Sequence, residues 1–230
     1  NIVISFAGNI ATAEALALAE AYFGGMERTG FTDRKKDVVQ SAGSMLRKKP
    51  IEQAHFALGF PTVAREDKMR PAVQVMNAIL GGGMSSRLFK KVREELGLAY
   101  SVYSYCSHYA ETGMLTVYAG VSPAKAKDAF AAVQGVIESF KREGVTEEEF
   151  SRGREQVKSG SIFSQENTSS QMLLYGKEML YNNAVYDFER RMAEIAALTR
   201  ADVMEAIKQN FDFSRAAVAA VGNLDEGLSL

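Results

Sequence analysis

Two hydrogen-bond donors set seven residues apart, Arg93 and Tyr100, open the case for chemistry in this chain. They lie in "LGGGMSSRLFKKVREELGLAYSVYSY", residues 80–105. The spacing predicts a helix over 85–96 and a strand over 99–107. Arg93 falls in the last helical turn, where a cation suits the dipole. Gly97 ends the helix in a left-handed conformation, and Tyr100 opens the strand. Three intervening residues bring both side chains within reach of one cleft. A guanidinium and a phenol both donate to a carbonyl oxygen, and donate better as that oxygen gains charge. On spacing alone the plainer reading is preferred: an exposed arginine and a half-buried strand tyrosine.

Other candidates carry less. The triplet Gly81, Gly82 and Gly83 precedes a helix and could present backbone N–H groups to an anion. Neither G-x-x-x-x-G-K-[ST] nor G-x-G-x-x-G occurs, however. The glycines read better as a sharp turn between two helices, with Ser85 capping the second and Leu88, Val92 and Leu96 as its buried stripe. A zinc site needs three or four His, Cys or carboxylate ligands. The chain offers two histidines, His55 and His108, one cysteine, Cys106, and no H-x-x-E-H. Metal binding within the chain is not expected. Cys106 and His108 lack the third, orienting group that a nucleophile pair requires.

The elements around these residues follow from periodicity. Residues 2–7 read as a strand, with Thr12 capping a helix over 13–23 that stops at Gly24 and Gly25. Residues 26–42 are polar and irregular. Strands follow near 43–48 and 53–60, the second ending at Pro61. A helix over 68–80 places Met69, Val73, Met76 and Leu80 on one face. Strands 99–107 and 113–120 form a hairpin. The stripe of Ala126, Ala129, Phe130, Val133, Val136, Ile137 and Phe140 marks an amphipathic helix over 125–140. Thr146 and Glu149 make a capping box for a helix over 147–164. Helices near 168–181, 186–197 and 200–210 follow, the last capped by Thr199, and a strand near 215–222 closes the chain. About six strands outside strict βαβ alternation predict an α+β fold with one mostly antiparallel sheet and helices on one face. No linker divides residues 1–230, which read as a single domain.

The chain has 230 residues, 47% apolar and 24% charged, with a net charge of −1. This balance gives no bulk electrostatic case for nucleic acid or an anionic membrane. No apolar run approaches the ~20 residues that cross a bilayer. One cysteine fits a reducing compartment, and a cytoplasmic location is expected. The sequence opens on Asn1 in a core-like run, which reads as a segment of a longer protein. Any targeting signal would then lie outside it.

The central stretch resembles the C-terminal half of pitrilysin/insulinase-type zinc metallopeptidases, the inverzincins. These are related to the mitochondrial processing peptidases and the core proteins of respiratory complex III. The family pattern is a Gly-rich turn, S-R-L-(F/Y), then R-E-x-x-G-L-x-Y. Ser86, Arg87, Leu88 and Phe89 match its first part, and Arg93, Glu94, Gly97, Leu98 and Tyr100 its second. "NIVISFAGNI", "PIEQAHFALGFP", "LTRADVMEAIKQNF" and "AAVAAVGNL" extend the likeness along the chain. So does "ENTSSQMLLYGKEMLY", where Gln171 replaces a usual arginine.

The resemblance implies two homologous α+β halves closing around a peptide chamber. The N-terminal half would hold zinc through H-x-x-E-H, so zinc is expected there and no cofactor in this chain. The C-terminal half would complete the chamber. Arg93 and Tyr100 would contact the substrate peptide near the metal, and Gly81, Gly82, Gly83, Ser86 and Arg87 would line the chamber. The expected partners are the chain's own N-terminal half or a homologous catalytic subunit, with a peptide as substrate. An isolated half, its chamber face uncovered, would be inactive and could pair as a homodimer. The alternative is half of a non-catalytic relative, a scaffold or a peptide-binding partner subunit.

Overall fold

A computed structural model describes residues 2–27, 30, 38, 40–225 and 228. In chain order the elements are α1 (Thr12–Phe23), β1 (Gly43–Lys48), β2 (Ala54–Thr62), α2 (Arg70–Gly81), a π-helical segment (Phe89–Glu95), β3 (Ala99–His108) and β4 (Gly113–Val121). They continue with α3 (Ala126–Glu143), α4 (Glu147–Glu166), α5 (Thr168–Asn182), α6 (Phe188–Ala196), α7 (Arg200–Asn210) and β5 (Ala217–Gly222). Most of the irregular stretch expected at 26–42 lies outside the described residues. The chain forms two compact units, one of residues 38–157 and 194–230, the other of residues 1–37 and 158–193.

The larger unit is built on a five-stranded sheet in the order β1-β5-β2-β4-β3. Only β1 runs parallel to its neighbour, β5; the other pairs are antiparallel. The α+β fold with a mostly antiparallel sheet is as the sequence predicts. Strict alternation explains how β2 and β4 sit between two environments. Ala54, Phe56, Leu58 and Phe60 of β2, with Leu115, Val117, Ala119 and Val121 of β4, enter the core. The seven-residue stripe of α3 is buried throughout, and Val73, Met76 and Leu80 of α2 join it. Phe60 meets Phe211 and Phe213 edge-on at 5.3 Å each, the arrangement aromatic quadrupoles favour. Pro61 lies inside β2 instead of ending it. It pairs with Met114 of β4 beyond the end of the β5 ladder at Gly59, so β2 is an edge strand there, a place that tolerates proline.

Residues 2–7 depart from expectation. They join no strand ladder, and Ile2, Ile4 and Phe6 are exposed. A strand needs a neighbour to accept its backbone groups, and the described residues supply none to this segment. Among the described residues the sheet therefore has five strands, close to the about six expected. In the same smaller unit the Ser5 hydroxyl donates to the Met172 carbonyl at 2.8 Å. α1 begins at Thr12 itself, with Ala11 as its N-cap and no side-chain cap. α5 is capped by Asn167, whose side chain accepts from the Ser170 N–H, and it ends at Asn183 in a left-handed turn with φ 51°. Neither α1 nor α5 has a fully buried residue, and Leu16, Tyr22, Phe163 and Leu173 are exposed.

In the larger unit, one ion pair ties the segment after α2 to the start of α4. Thr146 and Glu149 form the expected reciprocal cap, with bonds of 2.9 and 3.1 Å. Glu149 also accepts both Nε and Nη2 of Arg87 at 2.7 Å. Hydrogen bonding by Arg87, helped by the Thr146 N–H and opposed by burial, holds the Glu149 carboxyl down to about 2. A depressed carboxylate stabilises the fold above its unfolded pKa and loses that contribution on protonation. We expect on the order of 2 kcal/mol from this pair at neutral pH. It should fade as pH falls from about 4.5 toward about 2. Urea unfolding of Glu149→Gln should lack that part of the acid dependence; parallel pH profiles for the two proteins would contradict the assignment.

Candidate functional site

The site is assembled around a close approach of helix and strand. A Cβ on Gly81, the last residue of α2, would lie 2.5 Å from the Ser104 nitrogen of β3. Only glycine lets α2 rest on the strand there. None of Gly81, Gly82 and Gly83 has a positive φ, so the triplet serves proximity and not a left-handed turn. The Gly82 carbonyl accepts from the Gln156 side chain at 2.9 Å, and the Gly83 carbonyl from the Ser86 N–H at 3.1 Å. Ser86 is buried, and its hydroxyl accepts the Phe89 N–H at 3.4 Å. Ser86, not Ser85, therefore caps the following helix.

That helix is π-type and not the α-helix predicted over 85–96. The Leu96 N–H reaches back five residues to the Lys91 carbonyl at 3.1 Å. The wider turn keeps Leu88 and Val92 in the core but swings Leu96 outward to 44% exposure. Gly97 then reverses the chain at φ +58°, as expected. β3 begins with a β-bulge: Ala99 pairs with Val121 and Ser101 with Gly120, leaving Tyr100 between them. Such a bulge re-aims one side chain. Here it puts Tyr100, 73% exposed, on the face away from the core.

The helix end and the bulge bring Arg93 and Tyr100 together. The Arg93 guanidinium carbon lies 5.8 Å from the Tyr100 ring centroid and 4.8 Å from that of Phe89. Both distances suit cation–π attraction, which fixes the guanidinium without using its N–H donors. Tyr103 and Tyr105 continue along the same face, 6.1 Å apart. Tyr103 sits 4.9 Å from Tyr118 of β4, whose hydroxyl is hydrogen-bonded to His55 Nδ1 of β2 at 2.8 Å. Gly120 lets side chains close in beside this pair: a Cβ there would come 2.9 Å from the Ser101 hydroxyl and 3.4 Å from that of Tyr118. Sequence reading overlooked these aromatic neighbours. The signal was present in the alternation of Tyr103 with Tyr105.

Arg87 goes elsewhere. Besides Glu149, it donates to the Gly144 carbonyl at 2.7 Å and stacks 4.9 Å from the Phe140 ring. Its donors are committed to fold contacts, apart from Arg93 and Tyr100. Gln171, at the position of the family's usual arginine, donates to the Gln165 carbonyl. Burial pushes the Cys106 thiol up to about 12, far above the range of a reactive thiolate. His108 Nδ1 is bonded to the Val63 carbonyl at 2.8 Å. Among the described residues no three His, Cys, Asp or Glu side chains converge as metal ligands.

Residues 1–157 match the family model described as the peptidase M16 inactive domain. The chain belongs to the M16 peptidase family. The resemblance carried by the central motif is thus borne out. An uncharacterized zinc protease of Bacillus subtilis is 35% identical over 225 residues, covering 97% of this chain and 55% of the relative. One from Streptomyces coelicolor is 37% identical over 189 residues, covering 82% and 41%. The chain thus spans about half the length of these curated relatives. The crystal structure of a peptidase M16 inactive domain from Pseudomonas fluorescens has a TM-score of 0.80 at 22% identity, covering 94% of this chain and 52% of that one. The periplasmic protease PqqL of Escherichia coli shares the fold at a TM-score of 0.69 and 16% identity, over 93% of this chain and 24% of its own. No described helix of the M16 domain is long and apolar enough to cross a membrane.

The two arginines of the motif should separate in stability measurements. Arg87→Ala should cost about 2 kcal/mol, because Glu149 is left partly buried without its cation. Arg93→Ala should stay within about 0.5 kcal/mol of wild type, as for a surface change. Chemical denaturation checks both; equal losses would contradict the division.

Proposed function

We propose that this domain is the non-zinc-binding half of a zinc metalloendopeptidase. In this reading it closes a peptide chamber, with Arg93 and Tyr100 contacting the substrate near a metal held by the other half. The carrying observation is the bulge that turns Tyr100 onto the open sheet face beside the Arg93 guanidinium. Together the two side chains offer guanidinium and phenol donors to one peptide carbonyl. Their interaction strengthens as negative charge gathers on that oxygen, so it favours the transition state over the bound substrate. The cation–π contacts hold Arg93 in place beforehand, which reduces the ordering required during reaction.

Zinc chemistry belongs, in this reading, to the preceding half. The relatives named zinc proteases are about twice as long as this chain, which supports a second half as partner. A homologous catalytic subunit would serve the same role. The exposed apolar side chains of the smaller unit suit burial against such a partner, and in an isolated domain they favour a homodimer. A single cysteine fits the proposed cytoplasmic location. Gly81, Gly82, Gly83, Ser86 and Arg87 act in this account as the frame that fixes the chamber wall.

The test uses the full-length protein. Arg93→Ala and Tyr100→Phe should each cut peptide hydrolysis by about ten-fold or more, the scale of losing one transition-state donor. Zinc content should not change. Wild-type rates in both variants would refute the role. A full-length protein with neither zinc nor hydrolysis would instead favour the scaffold or partner-subunit reading.

A further inference from the structure

A second feature of the open sheet face lies away from Arg93 and Tyr100. A cavity of about 260 Å³ sits where β5, β2 and β4 meet. Gly59, Pro61, Met114 and Ala217 line it, with Gln40 and Arg215 among its walls. Its volume is below the usual range for a drug-sized ligand and suits a single apolar side chain. The floor is low because Gly59 has no side chain and its neighbour Ala217 has only a methyl group, with the Met114 thioether lying over Gly59, 3.1 Å from where a Cβ would stand.

Arg215 is the one charged side chain among the described residues that line the cavity. The short turn Phe213–Arg215 presents it just before β5. Its Nη2 donates to the Gln40 side-chain oxygen at 3.1 Å, a neutral partner. Gln40 in turn donates to the Thr112 hydroxyl at 2.5 Å and the Gly113 carbonyl at 3.4 Å. A glutamine strut thus holds the cation at the cavity. The nearby Asp212 carboxylate accepts from the N–H and hydroxyl of Ser214, at 3.0 and 2.7 Å, and feels the Arg215 charge only through space.

We propose that this cavity takes the C-terminal residue of a peptide, with its apolar side chain inside and its α-carboxylate on Arg215. The choice of a peptide as occupant rests on the proposed peptidase reading. Register supports it. Gly59 shares a cross-strand row with Thr116 and Tyr105, five residues along β3 from Tyr100. At ~3.3 Å per residue and ~4.8 Å per strand, that is roughly 18 Å from the Arg93–Tyr100 pair. An extended peptide covers the gap in five or six residues at roughly 3.3 Å each. The cavity would therefore fix one end of a chain whose reacting bond lies at the pair.

The test is binding, independent of hydrolysis. N-acetyl-alanyl-leucine and its C-terminal amide are titrated into the full-length protein by calorimetry. The free acid should bind about ten-fold more tightly than the amide, the scale of a charge-assisted hydrogen bond. Arg215→Gln should remove that difference. Ala217→Phe, which fills the cavity, should weaken both probes. Equal binding of acid and amide, a difference that survives Arg215→Gln, or no binding of either at about 1 mM would overturn the site. Octanoate binding in preference to the peptide acid would overturn the peptide occupant. Failed binding, with the expected loss of hydrolysis in Arg93→Ala and Tyr100→Phe, removes this site alone, whereas bound peptide with unaltered kinetics in those variants removes the catalytic reading alone.

Discussion

The close contact between Gly81 and Ser104 is the constraint on which the candidate site depends. Because no side chain intervenes, the end of α2 lies directly on β3. The chain must then leave α2, turn, and return to that same strand within about 18 residues. The buried Ser86 hydroxyl, the π-type helix and Gly97 accomplish that return. Arg93 and Tyr100 sit on its two sides, so their proximity follows from the path. A larger residue at position 81 would lift the helix and separate them without touching either one.

The two arginines of the motif show how charge is divided between fold and surface. They are six residues apart and chemically identical. Arg87 points to the start of α4, where a carboxylate, a carbonyl and an aromatic ring take up its guanidinium. Arg93 meets only ring faces in the contacts described above, which attract its charge but leave its N–H groups available. A family motif read as letters gives both equal weight. The geometry separates a structural cation from a displayed one.

Much of the fold was legible because single periodicities dominate it. The α3 stripe, the Thr146–Glu149 and Thr199 caps and the hairpin all rest on local rules that tertiary structure leaves intact. The failures are places where hydrogen-bond register changes without a sequence cue. Leu96 completes an α-helical stripe on paper, yet an i→i+5 turn rotates it outward. Tyr100 is out of phase with Tyr103 and Tyr105 by simple alternation, and only the bulge sets them on one face. Residues 2–7 alternate like a strand but find no neighbour among the described residues. At the candidate site the Arg93–Tyr100 spacing carried little by itself; the surrounding motif singled the pair out. The small cavity beside Arg215 was invisible because its walls come from four distant stretches of chain.

The central claim is that Arg93 and Tyr100 jointly address one peptide carbonyl. The most direct measurement is a crystal structure of the intact protein with an uncleavable peptide bound. The account predicts that the Tyr100 hydroxyl and an Arg93 N–H both lie about 2.7–3.2 Å from the same backbone oxygen. A bound peptide that leaves Tyr100 in solvent, with Arg93 still resting only on its rings, would contradict it.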